Sequence, residues 1–247
     1  MVLFKGWRNE LPRVWLPQIV SEEGRLENST PITLLYLAAA LEGEWQKFGP
    51  KVAHAQVDDF TGLGESDIRG LMAAFSPHLT GISVYEGTAE LARKRIQLFM
   101  KIMPGCPVIS GGIGITMFGE GLVEYTGADI GFRGDGELVL RDVVSIIGTH
   151  GVEGLRNPDI QKQLLELPGV ILNIRGEGVA KGVRSNEIPV LPKGAVEQIH
   201  FPVSQLETFY NRYPDRPVAL MGSRGCPKRC SFCALGVGGY RSRAPSQ

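Results

Sequence analysis

The sequence predicts an α/β fold: a doubly wound, Rossmann-like (flavodoxin-like) parallel sheet of five strands over residues 1–150. Two observations carry this. Short apolar runs alternate with amphipathic segments from about residue 13 to 148, and the ends of the later runs are glycine-rich, as GGIG at 111–114 and RGDGE at 133–137. Beyond residue 150 the pattern changes, and the chain divides into a hairpin and proline-rich linker over 151–216 and a cysteine-bearing segment over 217–247.

Residues 13–20 (RVWLPQIV) make a poor first strand, because Pro17 interrupts them. Thr30 and Pro31 read as an N-cap and a first-turn proline, opening a helix that runs to about Leu41 and stops near Gly43. Residues 51–57 form the second strand. Asp67 caps the next helix, whose Ile68, Leu71, Met72 and Phe75 share one face, and Pro77 ends it. Residues 81–85 (GISVY) form the third strand. Thr88 caps a helix with Ala92, Ile96, Phe99 and Met103 on one side. Residues 107–110 and 128–132 are strands four and five. Residues 134–137 then lead into a helix carrying Val139, Val143 and Ile146. Residues 170–174 and 179–183 flank Gly176-Glu177-Gly178 as a hairpin. Five prolines between 186 and 217 mark the linker, and residues 217–221 (PVALM) read as a strand feeding the cysteines.

Composition excludes several classes. The 26 basic and 26 acidic residues cancel, which argues against binding driven by nucleic-acid phosphates. No apolar run reaches the roughly 20 residues a membrane helix needs, and no signal peptide is visible, so a reducing, cytoplasmic setting is expected. Neither G-x-G-x-x-G after a strand nor G-x-x-x-x-G-K-[ST] is present, so neither dinucleotide nor triphosphate binding is supported.

Of four cysteines, Cys106 stands apart, while Cys226, Cys230 and Cys233 form C-x3-C-x2-C. Three thiolates on so short a loop can converge on one inorganic centre. A structural zinc site wants four protein ligands, and only Cys106 or a distant His200 could supply the fourth. A [4Fe–4S] cluster held by three cysteines leaves one iron open. A redox disulfide is a third possibility.

The segment SRGCPKRCSFC, residues 223–233, with Phe232 just before the last cysteine, resembles the radical S-adenosylmethionine (radical SAM) superfamily. The resemblance implies that Cys226, Cys230 and Cys233 hold a [4Fe–4S] cluster whose open iron chelates S-adenosylmethionine. One electron then cleaves the sulfonium to a 5′-deoxyadenosyl radical. It also implies an external electron donor such as flavodoxin or ferredoxin. Over most of the chain, the order TPITLLYLAAALEG, GISVYEG, SGGIG, RGDGELVL, hairpin, linker and cysteine motif resembles cobalamin-dependent radical SAM proteins, with their cobalamin-binding domain first.

That resemblance implies cobalamin over the strand C-termini. Ser83 and Tyr85 would face the corrin or its tail, and Gly111, Gly112 and Gly114 would admit the nucleotide tail. Gly134, Asp135, Gly136 and Glu137 would close the site, and Phe232 would belong to the cofactor-binding set. On residue type alone these glycines also read as plain turns, and Ser83 as a strand cap. A D-x-H-x-x-G histidine ligand is missing after the first strand: residues 18–30 contain no histidine, and His54 reads as an edge residue. By the same resemblance, residues 217–221 begin a radical SAM (β/α) barrel that is cut off within the chain. The expected function is therefore that of a cobalamin-dependent radical SAM enzyme of methyltransferase type, present as an N-terminal fragment inactive alone. The competing expectations are a non-catalytic cofactor-binding or sensory module with a zinc-stabilised tail, and a flavodoxin-like electron carrier, for which no FMN phosphate loop is evident.

Overall fold

Alternate residues along each strand send their side chains into two separate cores. The computed structural model describes residues 10–19, 31–45, 48–60, 62–174, 178–191, 202–228, 230–231, 233, 236 and 238–242. Strands β1 (Arg13–Gln18), β2 (His54–Asp59), β3 (Leu79–Ser83), β4 (Val108–Gly111) and β5 (Ile130–Phe132) are parallel. The hairpin strands β6 (Val170–Ile174) and β7 (Gly178–Lys181) add antiparallel to β5, giving a seven-stranded sheet in the order β2-β1-β3-β4-β5-β6-β7. The five expected parallel strands and the expected hairpin thus form one sheet.

Val14, Leu16, Ile109 and Leu172 join a core under helices α1 (Ile32–Glu42) and α6 (Gly136–His150). Trp15, Ile82, Val108 and Ile171 join the opposite core, under α2 (Glu65–Phe75) and α3 (Ala89–Ile102). Burial on both faces is what a doubly wound sheet requires. Two short helices that the sequence reading did not anticipate, α4 (Ile113–Phe118) and α5 (Glu120–Thr126), link β4 to β5.

The details correct several expectations. β1 is a central strand despite Pro17, because its ladder to β3 ends at Trp15 while pairing with β2 runs on to Gln18. Asp67 does not precede its helix but caps from the third helical position, accepting a hydrogen bond from the Gly64 N–H at 2.9 Å. Thr88 stands at its N-cap position, yet its hydroxyl bonds to Tyr85 instead of the helix. Pro31 takes the N-cap place of α1; Thr30 lies outside the described residues. The region read as hairpin and linker also contains two helices, α7 (Pro158–Leu165) and α8 (Val203–Arg212). α8 packs against α1, and its fully buried Phe209 joins the core under α1 and α6.

Residues 217–221 are not a strand. Among the described residues no strand pairs with them, and Val218 and Leu220 stand 68% and 69% exposed. The regular structure near the cysteines is a two-residue ladder of β8 (Ser223–Arg224) with β9 (Arg241–Ser242).

His78, before β3, gives the fold a pH dependence. Its Nδ1 accepts from the Arg13 N–H at 3.1 Å, and its own N–H donates to the Arg13 carbonyl at 2.8 Å. Burial, and then the Arg13 guanidinium, push the ring pKa down to about 4. The unfolded ring titrates near 6.5, so between these values the unfolded chain binds the proton that the folded chain refuses. Stability should fall as pH drops through this window, by about 2–3 kcal/mol, with no further contribution below it. Urea titrations at pH 7, 5 and 4 check this, and an equally steep decline in His78→Gln would show that another group is responsible.

Candidate functional site

The strand order reverses direction between β1 and β3, and a crevice opens there at the strand C-termini. It forms a cavity of about 460 Å³. Leu16, Gly81, Ile82, Ile109 and Phe132 line it from the sheet, Leu34 and Leu37 from α1, and Leu140 from α6. Part of the wall comes from far along the chain: Ile188, Val190, Met221, Ser223, Arg224, Gly225, Gly238 and Arg241.

The structure brings most of the expected site residues to this cavity. Ser83, Tyr85, Gly111, Gly112, Gly134, Asp135, Gly136 and Glu137 all line it. Gly114 does not. It is buried, and a Cβ there would lie 2.7 Å from the Val84 carbonyl oxygen, so its smallness lets α4 pack against the chain after β3. Phe232 lies outside the described residues.

The glycines serve the protein's own packing first. A Cβ at Gly111 or Gly136 would come within 2.8 Å of the Phe132 ring. The missing Cβ atoms make room for that aromatic, which lines the same cavity. Gly112 has φ +94°, and a Cβ there would sit 2.7 Å from Ser83 Oγ. Gly134, at φ +79°, would meet the Pro189 carbonyl oxygen at 2.0 Å.

The acidic loop is likewise committed to the protein. Asp135 donates its N–H to the Pro189 carbonyl at 2.7 Å, and its Oδ2 accepts from the Leu191 N–H at 2.7 Å. Its carboxylate also pairs with Arg241, and with Arg224 at 3.4 Å. Glu137, 3% exposed, pairs through Oε1 with Arg224. The Arg224 guanidinium carbon lies 5.5 Å from the centre of the Tyr36 ring. Burial alone would lower the Arg224 pKa, but the Glu137 and Asp135 carboxylates outweigh it and the net direction is up. Glu137 Oε2 and Arg241 Nε have no hydrogen-bond partner among the described residues. An acceptor and a donor are thus left over at the polar end of the cavity.

Arg224 and Arg241 were not expected from the sequence. Their carboxylate partners lie 87 and 106 residues away, beyond any local pattern. The available signal was that they bracket the cysteine motif.

Gly225 lines the cavity, and Cys226 follows it directly. Cys226 and Cys233 are half-buried, Cys230 is exposed, and all three are free thiols. The Cys233 N–H donates to the Cys230 carbonyl at 3.1 Å. Among the described residues no three His, Cys, Asp or Glu side chains are grouped to hold a metal ion. Cys106 is buried in the sheet domain against Thr80 Oγ1 at 3.4 Å. None of the cavity-lining residues is a histidine; His54 is exposed on β2, and His78 is held by Arg13.

No family model matches the chain. No curated protein matches it either. Among solved structures it is similar to the radical S-adenosylmethionine methyltransferase TsrM from Kitasatospora setae. With tryptophan substrate and a SAM analogue bound, that structure gives 20% identity and TM-score 0.60 over 94% of this chain and 43% of TsrM. With cobalamin and a [4Fe–4S] cluster bound, it gives 21% and 0.62 over 95% and 44%. The chain is also similar to the cobalamin-dependent S-adenosylmethionine radical enzyme OxsB with aqua-cobalamin bound, at 18% identity and TM-score 0.68 over 95% of this chain and 30% of OxsB. The chain therefore spans less than half the length of these enzymes, and it shares the fold of the part it covers.

Proposed function

We propose that this chain forms the cobalamin-binding part and the cluster loop of a cobalamin-dependent radical SAM enzyme acting in methyl transfer or a related radical reaction. The observation that carries this reading is the wall shared between the two sites. Ser223, Arg224 and Gly225, directly ahead of Cys226, line the cavity at the strand C-termini. The residues fit the groups. Three free thiols on one loop are the soft donors that an iron–sulfur cluster takes. A cavity apolar on the sheet side and polar at one end suits part of a large amphipathic cofactor.

In this proposal Cys226, Cys230 and Cys233 hold the cluster. Ser83, Tyr85, the 111–112 glycines and the 134–137 loop surround the cobalamin. When bound, the cluster would supply the electron for radical chemistry on S-adenosylmethionine, and cobalamin would carry the methyl group. The chain's own residues orient these groups and keep water from the apolar side of the cavity. A low-potential donor such as flavodoxin or ferredoxin and a reducing cytoplasm complete the proposal. No described helix is long and apolar enough to cross a membrane.

The test is cobalamin binding by the anaerobic chain, followed by absorbance and by electron paramagnetic resonance of cob(II)alamin. Binding without nitrogen hyperfine coupling from a histidine is expected. Gly112→Val should weaken binding by about tenfold or more, because a branched Cβ at φ +94° displaces Ser83 from the cavity. Gly121→Ala, where a Cβ meets open space, is the control. Equal affinity in Gly112→Val and the parent chain would remove this loop from the site.

A further inference from the structure

The cysteine segment is tied down at both ends. Arg224 and Arg241 face each other in the β8–β9 ladder, and all three clustered cysteines lie between them in the sequence. Both guanidinium groups reach back to one carboxylate, Asp135, through its two separate oxygens. Arg224 adds the buried Glu137 and the Tyr36 ring, and Arg241 adds the Leu191 carbonyl at 3.1 Å. The arginine side chains are only 12% and 10% exposed. Fixing two points that flank a stretch of chain restricts where that stretch can lie. Removing one member of a buried pair leaves the other charge uncompensated and is costly, so these pairs hold the segment against Asp135 and Glu137.

We propose that Arg224 and Arg241 are positioning residues: a two-point latch that makes the cysteine segment a wall of the cavity, so that a ligand in the cavity and the metal group on the cysteines are held facing each other. A ligand that prefers the latched wall strengthens the latch by the same factor by which the latch strengthens its binding. The latch rests on the ion pairs alone, while its purpose rests on the cobalamin and cluster reading above.

Thiol alkylation of the apo chain under anaerobic, reducing conditions, read by peptide mass spectrometry, tests this directly. Buried Cys106, 2% exposed, reports global unfolding within the same experiment. Arg224→Gln and Arg241→Gln should each raise the alkylation rate at Cys226 by about tenfold or more while Cys106 stays unreactive. Arg224→Lys, which keeps the charge, should fall between. Cyanocobalamin should slow alkylation at Cys226 in the parent chain and lose that effect in Arg224→Gln. Unchanged Cys226 rates with Cys106 silent would overturn the latch. So would equal acceleration at Cys106, because the pairs would then hold the whole fold and not the loop. If the variants release Cys226 but cyanocobalamin neither binds nor protects, the latch stands and the cobalamin reading falls.

Discussion

Asp58→Ala should cost the chain about 3–5 kcal/mol of stability, a large part of the 5–15 kcal/mol typical of a folded domain. Asp58 is completely buried at the end of β2 and receives four donors. Trp15 Nε1 lies at 2.6 Å, Gln56 Nε2 at 2.7 Å and the Tyr213 hydroxyl at 2.9 Å, with the Arg212 guanidinium as the fourth. This carboxylate is where α8 is fastened to the sheet edge. Arg212 also donates to the Val57 carbonyl at 2.6 Å. Burial first, then the Asp58 charge, raise the Tyr213 pKa to about 12, so the hydroxyl stays a donor throughout the physiological range. Alanine would leave these donors without their acceptor inside the fold. Asp58→Asn keeps an acceptor oxygen and should lose less. Urea unfolding with an unchanged m-value measures the difference. A loss under 1 kcal/mol in Asp58→Ala would mean that α8 is not held there.

Alanine at any one of Cys226, Cys230 or Cys233 should abolish iron retention, whereas Cys106→Ala should leave it intact. Anaerobic reconstitution of the parent chain should give about four irons and four sulfides. The three thiols lie close together in the sequence, directly after cavity-lining Gly225, and Cys106 is buried ahead of β4 against Thr80. Iron and sulfide analysis, with the brown absorbance of the cluster, reads the result. Dependence on Cys106 would defeat the three-cysteine assignment. A colourless chain that retains zinc through the same cysteines would instead favour a zinc-stabilised module.

Strand and helix periodicities are local, and they placed all five parallel strands and the hairpin within a few residues of their observed limits. Glycines after strands marked the crevice, because open α/β sheets gather their ligand loops at the strand C-termini. The cysteine spacing was legible because a short loop determines which side chains can meet. α8 was overlooked among the prolines, although Leu206, Phe209, Tyr210 and Tyr213 follow helical spacing.

Other features belong to the tertiary structure. Whether residues 217–221 pair as a strand depends on a neighbour, and none lies beside them among the described residues. The Gly111 and Gly136 positions are small because the Phe132 ring occupies the space between them, a contact set by how β5 and α6 pack. By residue type Asp135 and Glu137 looked like ligand contacts. Both line the cavity, and the fold also pairs them with Arg224 and Arg241, because partners about a hundred residues apart meet only after the C-terminal segment has folded back over the crevice.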